Sequence, residues 1–512
     1  MPHEAFTRRT FARLCAAAGI AASRGAAAAE EPNPAIRKAM DAVRAGIAKA
    51  ASDPDRPTYH FHPPAQWNND PNGTIFYKGW HHLFYQHNPF EAKWGHMHWG
   101  HARSRDLVNW EHLPIALWPS LEKGEEHVFS GCAALAPDGR PRLLYTSIGK
   151  RDPEQWLAEP ADDDLIVWRK SERNPVATVK LHGNRRVHDW RDPFVFVENG
   201  RTYMVTGGNN NGRSSGGASA VYLYEAAKPD LTEWKFLGPV FEYRNREIVN
   251  IECPNLFKLG SKWVLLISPH RPCEYFIGDL DLARRKFVPE CCGVLDPGKS
   301  YASNISYDDQ GRCILWLWGQ TDTNPEKGWN SVMVMPRILT IGDDGYLRQN
   351  PAPEFERLRG KVVTAPPCDL GAAPVPLPVT GDSLEIQAVF TFAGARSVGL
   401  RLRSPGSGKG FRVGYGPRPG IGDGALLAGE AHTVLGFVKQ LRLRVFLDKT
   451  VVEAYANDGT AAIFTPLGPG PHGLGIEAYA EGGAARLESF QAWPLKPASF
   501  SLDRYALAPV IS

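Results

Sequence analysis

The sequence is first informative for what it lacks. Past its first 30 residues, no run of apolar residues reaches the length of about 20 needed to span a bilayer. Charge of one sign is not in excess: 58 Lys and Arg face 55 Asp and Glu, a net of +3 with no basic stripe. That balance excludes a dedicated binder of nucleic acid or of an anionic membrane. Eight Cys are too few and too irregular for a disulfide framework, and no spacing resembles a zinc site. Cys15 lies in the N-terminal leader, which leaves an odd seven, and Cys291 and Cys292 are adjacent. These cysteines read as small buried apolar residues. His81, His82, His87, His96 and His98 crowd one region with His101 nearby, yet no His pair stands at helical i, i+4 spacing with Glu, so no metal is expected.

What the chain has in quantity is aromatic residues, 15 Trp, 16 Tyr and 23 Phe, alongside 50 Gly and 42 Pro. Together they favour short strands and tight turns over long helices. A length of 512 residues suggests two domains. The N-terminus reads as a leader. Thr7-Arg8-Arg9-Thr10-Phe11 is followed by an Ala/Gly run from Ala16 to Ala29 and then by Glu30. This order predicts a twin-arginine export signal over residues 1–30 and a periplasmic or extracellular destination. Residues 31–57 then carry one short helix over 33–50, as their Ala and Lys content suggests.

From residue 58 a hairpin recurs. Its turn glycines are Gly79, Gly139, Gly200, Gly260 and Gly311, at intervals of 60, 61, 60 and 51 residues. A second marker, Asp-Leu-x-x-Trp, follows as Asp106 to Trp110, Asp164 to Trp168 and Asp230 to Trp234, with a worn copy at Asp281-Leu282 and Phe287. Two markers sharing one period predict an all-β fold in which residues 58–345 form a five-bladed β-propeller. Seven prolines between Pro351 and Pro378 suggest a linker over 346–379. Period-two alternation at Leu384–Val389, Leu441–Val445 and Val451–Tyr455, with a turn at Asn457-Asp458-Gly459, predicts an antiparallel β-sandwich over 380–496 and a tail over 497–512.

The repeat converts spacing into position. Asp70, Asp192 and Glu252 each stand about a dozen residues before the apolar strand of hairpins one, three and four. Spacing alone places them at equivalent points on the channel-lining strands. Taken singly, Asp70 before Pro71-Asn72-Gly73 also suits a turn, and Arg191-Asp192 an ion pair. Three buried acids in one cavity are costly unless function requires them. Glycoside hydrolysis requires two carboxyl groups astride the scissile bond, one ionised and one protonated. Trp67, Gln86 and Trp94 supply faces and amides suited to a sugar ring, while Tyr85 and Trp99 are assigned to the core.

Several motifs resemble glycoside hydrolase family 32, the invertases, inulinases and levanases. They are Trp67-Asn68-Asn69-Asp70-Pro71-Asn72-Gly73, Leu83-Phe84-Tyr85-Gln86, Trp99-Gly100-His101-Ala102, Phe129-Ser130-Gly131, Arg191-Asp192-Pro193, Glu252-Cys253-Pro254 and Leu447-Asp448 with Val452-Glu453. The resemblance implies a retaining β-fructofuranosidase with Asp70 as nucleophile, Glu252 as acid/base and Asp192 as transition-state stabiliser. It implies a fructose subsite of Asn69, Gln86, Trp94, Phe129, Ser130 and Arg191, a sucrose or β-fructan substrate, and no cofactor or metal. A monomer and a homodimer both fit. Asn68, Cys132 and Asn255 depart from the family pattern, on the side where they bear on substrate preference. Three other readings stay open: fructosyl transfer, an inverting arabinan- or xylan-type hydrolase on the same fold, and a non-catalytic glycan-binding propeller.

Overall fold

The computed structural model describes residues 33–505, apart from 211–218, 246, 322, 407–408, 419, 421 and 469–472. The twin-arginine segment and the last seven residues of the tail lie outside the described residues. Helix α1 spans Pro34–Ala51, capped by the Asn33 side chain, which accepts from the Ala35 N–H. Ile36, Ala39, Met40 and Val43 form its buried stripe at helical spacing, packed on the first sheet. Among the described residues no helix is long and apolar enough to cross a membrane.

Five sheets follow in chain order, each opened by a strand from which later strands run antiparallel outward: β1 (Gln66–Tyr77), β2 (His127–Leu135), β3 (His188–Glu198), β4 (Glu252–Leu259) and β5 (Ser300–Tyr307). These opening strands contact one another in sequence, and β5 closes against β1. Two larger sheets, drawn from residues 363–494, face each other around a second core. The chain is all-β, and this layout is consistent with a propeller followed by a sandwich.

Both sequence markers have a structural cause. The five turn glycines have φ between 62° and 77°, the left-handed region that glycine favours; the loops of Gly79, Gly200 and Gly260 have two residues, and those of Gly139 and Gly311 have five. The Asp-Leu-x-x-Trp motif is the turn between the third and fourth strands. Its Leu107, Leu165 and Leu231 have φ of 62°, 58° and 62°. The indole N–H of Trp168 and of Trp234 donates to the carbonyl of the motif leucine, at 2.9 and 3.0 Å. The aspartate accepts backbone N–H groups in the first and third copies, whereas Asp162 does so in the second.

Two expected boundaries differ from the structure. The segment 346–379 is not a linker. Leu347–Pro351 is the outer strand of the fifth sheet, Val363–Ala365 and Cys368–Leu370 pair with Ala484–Pro494, and Val375–Thr380 pairs with Gly475–Glu481. Its prolines fall between short strands or on an edge strand, where a missing N–H breaks no ladder. The tail likewise returns to the first domain, where Phe500–Ser501 pairs in parallel with Trp110–Glu111.

The two domains meet over fully buried charges. Asp448 accepts from the backbone N–H groups of Thr58, Tyr59 and His60. The His60 ring lies 2.9 Å from Asp448 and 3.1 Å from Glu453. Arg337 lies 2.8 Å from Asp296 and 3.1 Å from Glu453.

Candidate active site

Each opening strand is bulged at the same end. The register slips between Asn68 and Pro71, Val128 and Gly131, Arg191 and Phe194, Glu252 and Asn255, and Tyr301 and Ser303. A bulge re-aims side chains that a regular strand would alternate between faces. Asp192, Cys253 and Ala302 sit in these bulges with φ of 62°, 46° and 51°, conformations that cost free energy and concentrate at functional sites.

The bulges also correct the expected equivalence of the three acids. Asn72, Phe194 and Asn255 oppose matching residues of their second strands, which aligns Pro71 with Pro193 and Pro254. Asp70 and Asp192 therefore share a place, but the residue in that place on β4 is Cys253. Glu252 lies one position earlier, level with Asn69 and Arg191. The offset sends the third carboxyl into the cavity from a different angle.

The polar residues among the predicted site set meet in one hydrogen-bonded array. Asn69 Nδ2 donates to Asp70 Oδ1 and to Gln86 Oε1, both at 3.0 Å. Gln86 Nε2 donates to Ser130 Oγ at 2.7 Å, and Ser130 donates to Asp70 Oδ2 at 2.5 Å. The Cys253 thiol lies 3.6 Å from Asp70 Oδ2 and 3.8 Å from Asp192 Oδ2, and the Cys253 N–H donates to the same Asp192 oxygen at 2.9 Å. Arg191 pairs with Glu252, and its Nε stands 3.8 Å from Asp192. Trp94 is 52% exposed and stands against His127 and Phe129 at the rim.

Electrostatics separates the three carboxyls. Burial, followed by the Glu252 charge, raises Asp70 above the usual carboxylate range, against the hydrogen bonds from Ser130 and Asn69. Asp192 is pushed up to about 7 by burial and by the charges of Glu252 and Asp70, which outweigh Arg191. Glu252 goes the other way. Burial favours its neutral form, but the Arg191 and His270 charges and the Tyr301 hydroxyl hold it below the usual range. Among the described residues no group of three or more His, Cys, Asp or Glu is arranged to hold a metal ion.

This constellation can be set beside known proteins. The N-terminal domain of glycosyl hydrolases family 32 matches residues 60–351, and the family 32 C-terminal domain matches 354–494. This chain belongs to glycosyl hydrolase family 32. It is 31% identical over 503 residues to a levanase of Bacillus subtilis, covering 86% of this chain and 70% of the levanase. It is 30% identical over 500 residues to a sucrose-6-phosphate hydrolase of Zymomonas mobilis, covering 91% of this chain and 97% of that enzyme. The solved fructan 1-exohydrolase IIa of Cichorium intybus matches with a TM-score of 0.78 at 25% identity, covering 88% of this chain and 98% of that one. A family 32 β-fructofuranosidase of Bombyx mori matches at 0.73 and 27%, covering 91% and 99%.

The three departures from the family 32 pattern are structural. Asn68 is fully buried, with its amide placed to donate to the Ser331 carbonyl at 2.9 Å across the β1 edge. Asn255 donates to the carbonyls of Cys253 and Ser303, which ties β4 to β5, and Cys132 is buried in the core. In each case the side chain is engaged within the fold and not, among the described contacts, with a carboxyl of the site. Three other residues do reach it, and sequence reasoning missed their part. Tyr301 Oη donates to Glu252 Oε2 at 2.7 Å. The His270 ring lies 3.6 Å from the same oxygen, and its backbone N–H donates to Tyr301 Oη at 2.9 Å. Cys253 sits between two carboxyls, although the cysteines as a class read as inert. Tyr301 opens the fifth hairpin, so the repeat marks its place, but a tyrosine there carries no acidic signature.

Proposed function

We propose that this chain is a retaining β-fructofuranosidase that releases fructosyl units from sucrose or fructans, on a five-bladed propeller exported by the twin-arginine route. The observation that carries this reading is the shared cavity, in which Asp70 is wired to Ser130 and Asn69 while Arg191 links Asp192 to Glu252. The names of the relatives, levanase, sucrose-6-phosphate hydrolase and fructan exohydrolase, support the same substrate class.

In this reading the Asp70 carboxylate attacks the anomeric carbon while the bond to the leaving oxygen breaks and Glu252 gives that oxygen its proton. Water then attacks the fructosyl ester, passes a proton to Glu252 and frees Asp70. Asp192 and Arg191 hold fructose hydroxyls. The test is incubation with sucrose, inulin and levan, with chromatography of the products and NMR of the first anomer released. Fructose appearing first in the β configuration supports the reading. The opposite anomer makes the enzyme inverting, and persistent oligosaccharide growth makes it a transferase. Sequencing the N-terminus of the exported protein tests the leader, which should be absent from it.

Arg191 governs the pH dependence. The reaction needs Asp70 ionised and Glu252 protonated, the reverse of the order that burial and Arg191 set in the unliganded site, so Glu252 titrates in the acid limb of kcat/KM. Arg191 lowers that group, and Arg191→Gln should move the acid limb to higher pH whatever it does to the maximum rate. A limb that stays in place, or moves down, removes Glu252 from the acid role. Tyr301→Phe deletes a hydrogen bond to the same carboxylate, a loss of about 1.5–3 kcal/mol. Its kcat/KM should fall by about 10- to 100-fold, and its limb should also move up.

A further inference from the structure

Away from the propeller, the sandwich carries a groove that the reaction does not use. Its volume is about 540 Å³, within the range of ordinary ligand pockets. It opens on the sheet containing Ser397–Ser404 and Phe411–Arg418, whereas Asp448, Glu453 and Tyr455, which dock against the propeller, belong to the other sheet.

The wall chemistry is mixed. Arg396, Arg412 and Arg418 face the groove together with Glu430 and Glu481. Arg412 Nη2 donates to Glu481 Oε2 at 2.8 Å and to Ser397 Oγ at 3.3 Å, and its guanidinium stacks 4.7 Å from the Tyr479 ring centroid. Arg418 Nη2 donates to the Gly429 carbonyl at 2.9 Å, while its Nε is buried with no hydrogen-bond partner among the described residues. Phe411 lies flush against Gly429, where a Cβ would come within 2.7 Å of the ring, so the phenyl is held as a platform beside the guanidinium groups.

These groups select a ligand class. A polyanion would meet two carboxylates, and an apolar ligand would strand three guanidinium groups without water. A neutral polyhydroxylated chain uses both kinds of group. Its hydroxyls donate to carboxylates and accept from fixed guanidinium forks, and its C–H face lies on an aromatic ring.

We infer that the groove lined by Phe411, Arg412, Arg418 and Glu481 is a second glycan site, which holds a fructan chain on the sandwich while the propeller cuts it. This rests on the fructosidase reading for the identity of the sugar. Its effect is effective concentration: polymer held by the sandwich stays near the propeller, whereas sucrose is too short to gain.

The test is electrophoresis of the full chain through gels cast with levan, with inulin, with heparin or with no polymer, alongside kinetics on sucrose and on the polymers. The wild-type chain should be retarded by levan or inulin and not by heparin. The Phe411→Ala/Arg418→Ala double variant should lose that retardation. It should show an about tenfold higher KM on the polymer at unchanged kcat, with sucrose hydrolysis unaltered as the control for folding. Retardation that survives the double variant, or that occurs in heparin in place of fructan, overturns the inference. If the chain hydrolyses neither sucrose nor fructan but is retarded through Phe411 and Arg418, the catalytic reading falls and the groove stands. Hydrolysis without any retardation sinks the groove alone.

Discussion

Asp70→Asn is expected to lower kcat on sucrose and on fructan by about 10⁴-fold or more, while Glu252→Gln costs about 10²- to 10⁴-fold, depending on the leaving group. The two losses differ because the proposed reaction gives the two carboxyls different work. In it Asp70 bonds to carbon, and an amide in its place has no comparable nucleophilicity, so no choice of leaving group rescues it. Glu252 supplies a proton in the same proposal, and the need for that proton falls as the leaving oxygen becomes a better leaving group. A fructoside with an acidic leaving group should therefore recover most of its rate in Glu252→Gln and none in Asp70→Asn. The site's architecture keeps the comparison clean. Asp70 is held by Ser130 at 2.5 Å and Asn69 at 3.0 Å, and both partners can accommodate an amide by rotating or exchanging donor and acceptor roles. Glu252 is held by Arg191 and Tyr301, which keep a glutamine in the same position. Circular dichroism and melting within a few degrees of wild type would establish that both variants fold. Equal losses on both substrates for both variants would remove the assigned division of labour. Near wild-type turnover in Asp70→Asn would remove the covalent mechanism altogether.

The repeat was legible because it rests on local backbone chemistry. A hairpin turn with φ > 0 selects Gly, and in the first three sheets the turn before the fourth strand uses the same Asp-Leu-x-x-Trp chemistry, so the same letters recur. The pocket was legible for the same reason, since the period tells which strands share an end. What spacing could not show is a bulge. One extra residue leaves the letters unchanged but shifts the register, which is why Glu252 looked level with Asp70 when Cys253 is the residue that stands there. Prolines misled in a related way. Pro366, Pro367 and Pro376 suggest a linker, yet they sit beside or within edge strands, which pair on one side only and so tolerate a missing N–H. Tyr301 and His270 reach Glu252 through tertiary contact from β5 and from the loop after residues 262–268. No local pattern announces a hydroxyl whose partner lies in another sheet, or a ring in a loop whose partner lies on the neighbouring strand.

Arg337→Met is expected to be the most damaging single change outside the active site, with a loss of about 3–5 kcal/mol. Arg337 is fully buried and bonds to Asp296, Glu453, Gln349 and Tyr455, so the methionine fills its volume but leaves Asp296 without a counter-charge and Glu453 with His60 alone, which Asp448 shares. The melting temperature should fall on the order of 10 °C. Adding Glu453→Gln to Arg337→Met should restore part of the loss, because it removes one of the two carboxylates that Arg337 balanced. Further loss in the double variant would mean that the network acts through shape and not through charge. His60 supplies the pH dependence of the same interface. Burial disfavours its charge, but Asp448 and Glu453 outweigh burial and raise it to about 9 from 6.5. A group raised on folding stabilises fully below its unfolded value and loses that contribution as pH climbs to the folded one. The interface should therefore weaken between about pH 6.5 and 9, by about 3 kcal/mol over the whole span. Asp448 and Glu453 are lowered in spite of burial, Asp448 mainly by His60 and Glu453 mainly by Arg337, so their contribution is present above the ordinary carboxylate range and lost as pH falls through it. Thermal stability should peak in the mildly acid range between these limits. His60→Asn should flatten the alkaline decline and remove the Asp448 share of the acid decline, leaving the Glu453 share that rests on Arg337. An unchanged alkaline slope in His60→Asn would show that a different group titrates, and that the two domains are not held together by this histidine.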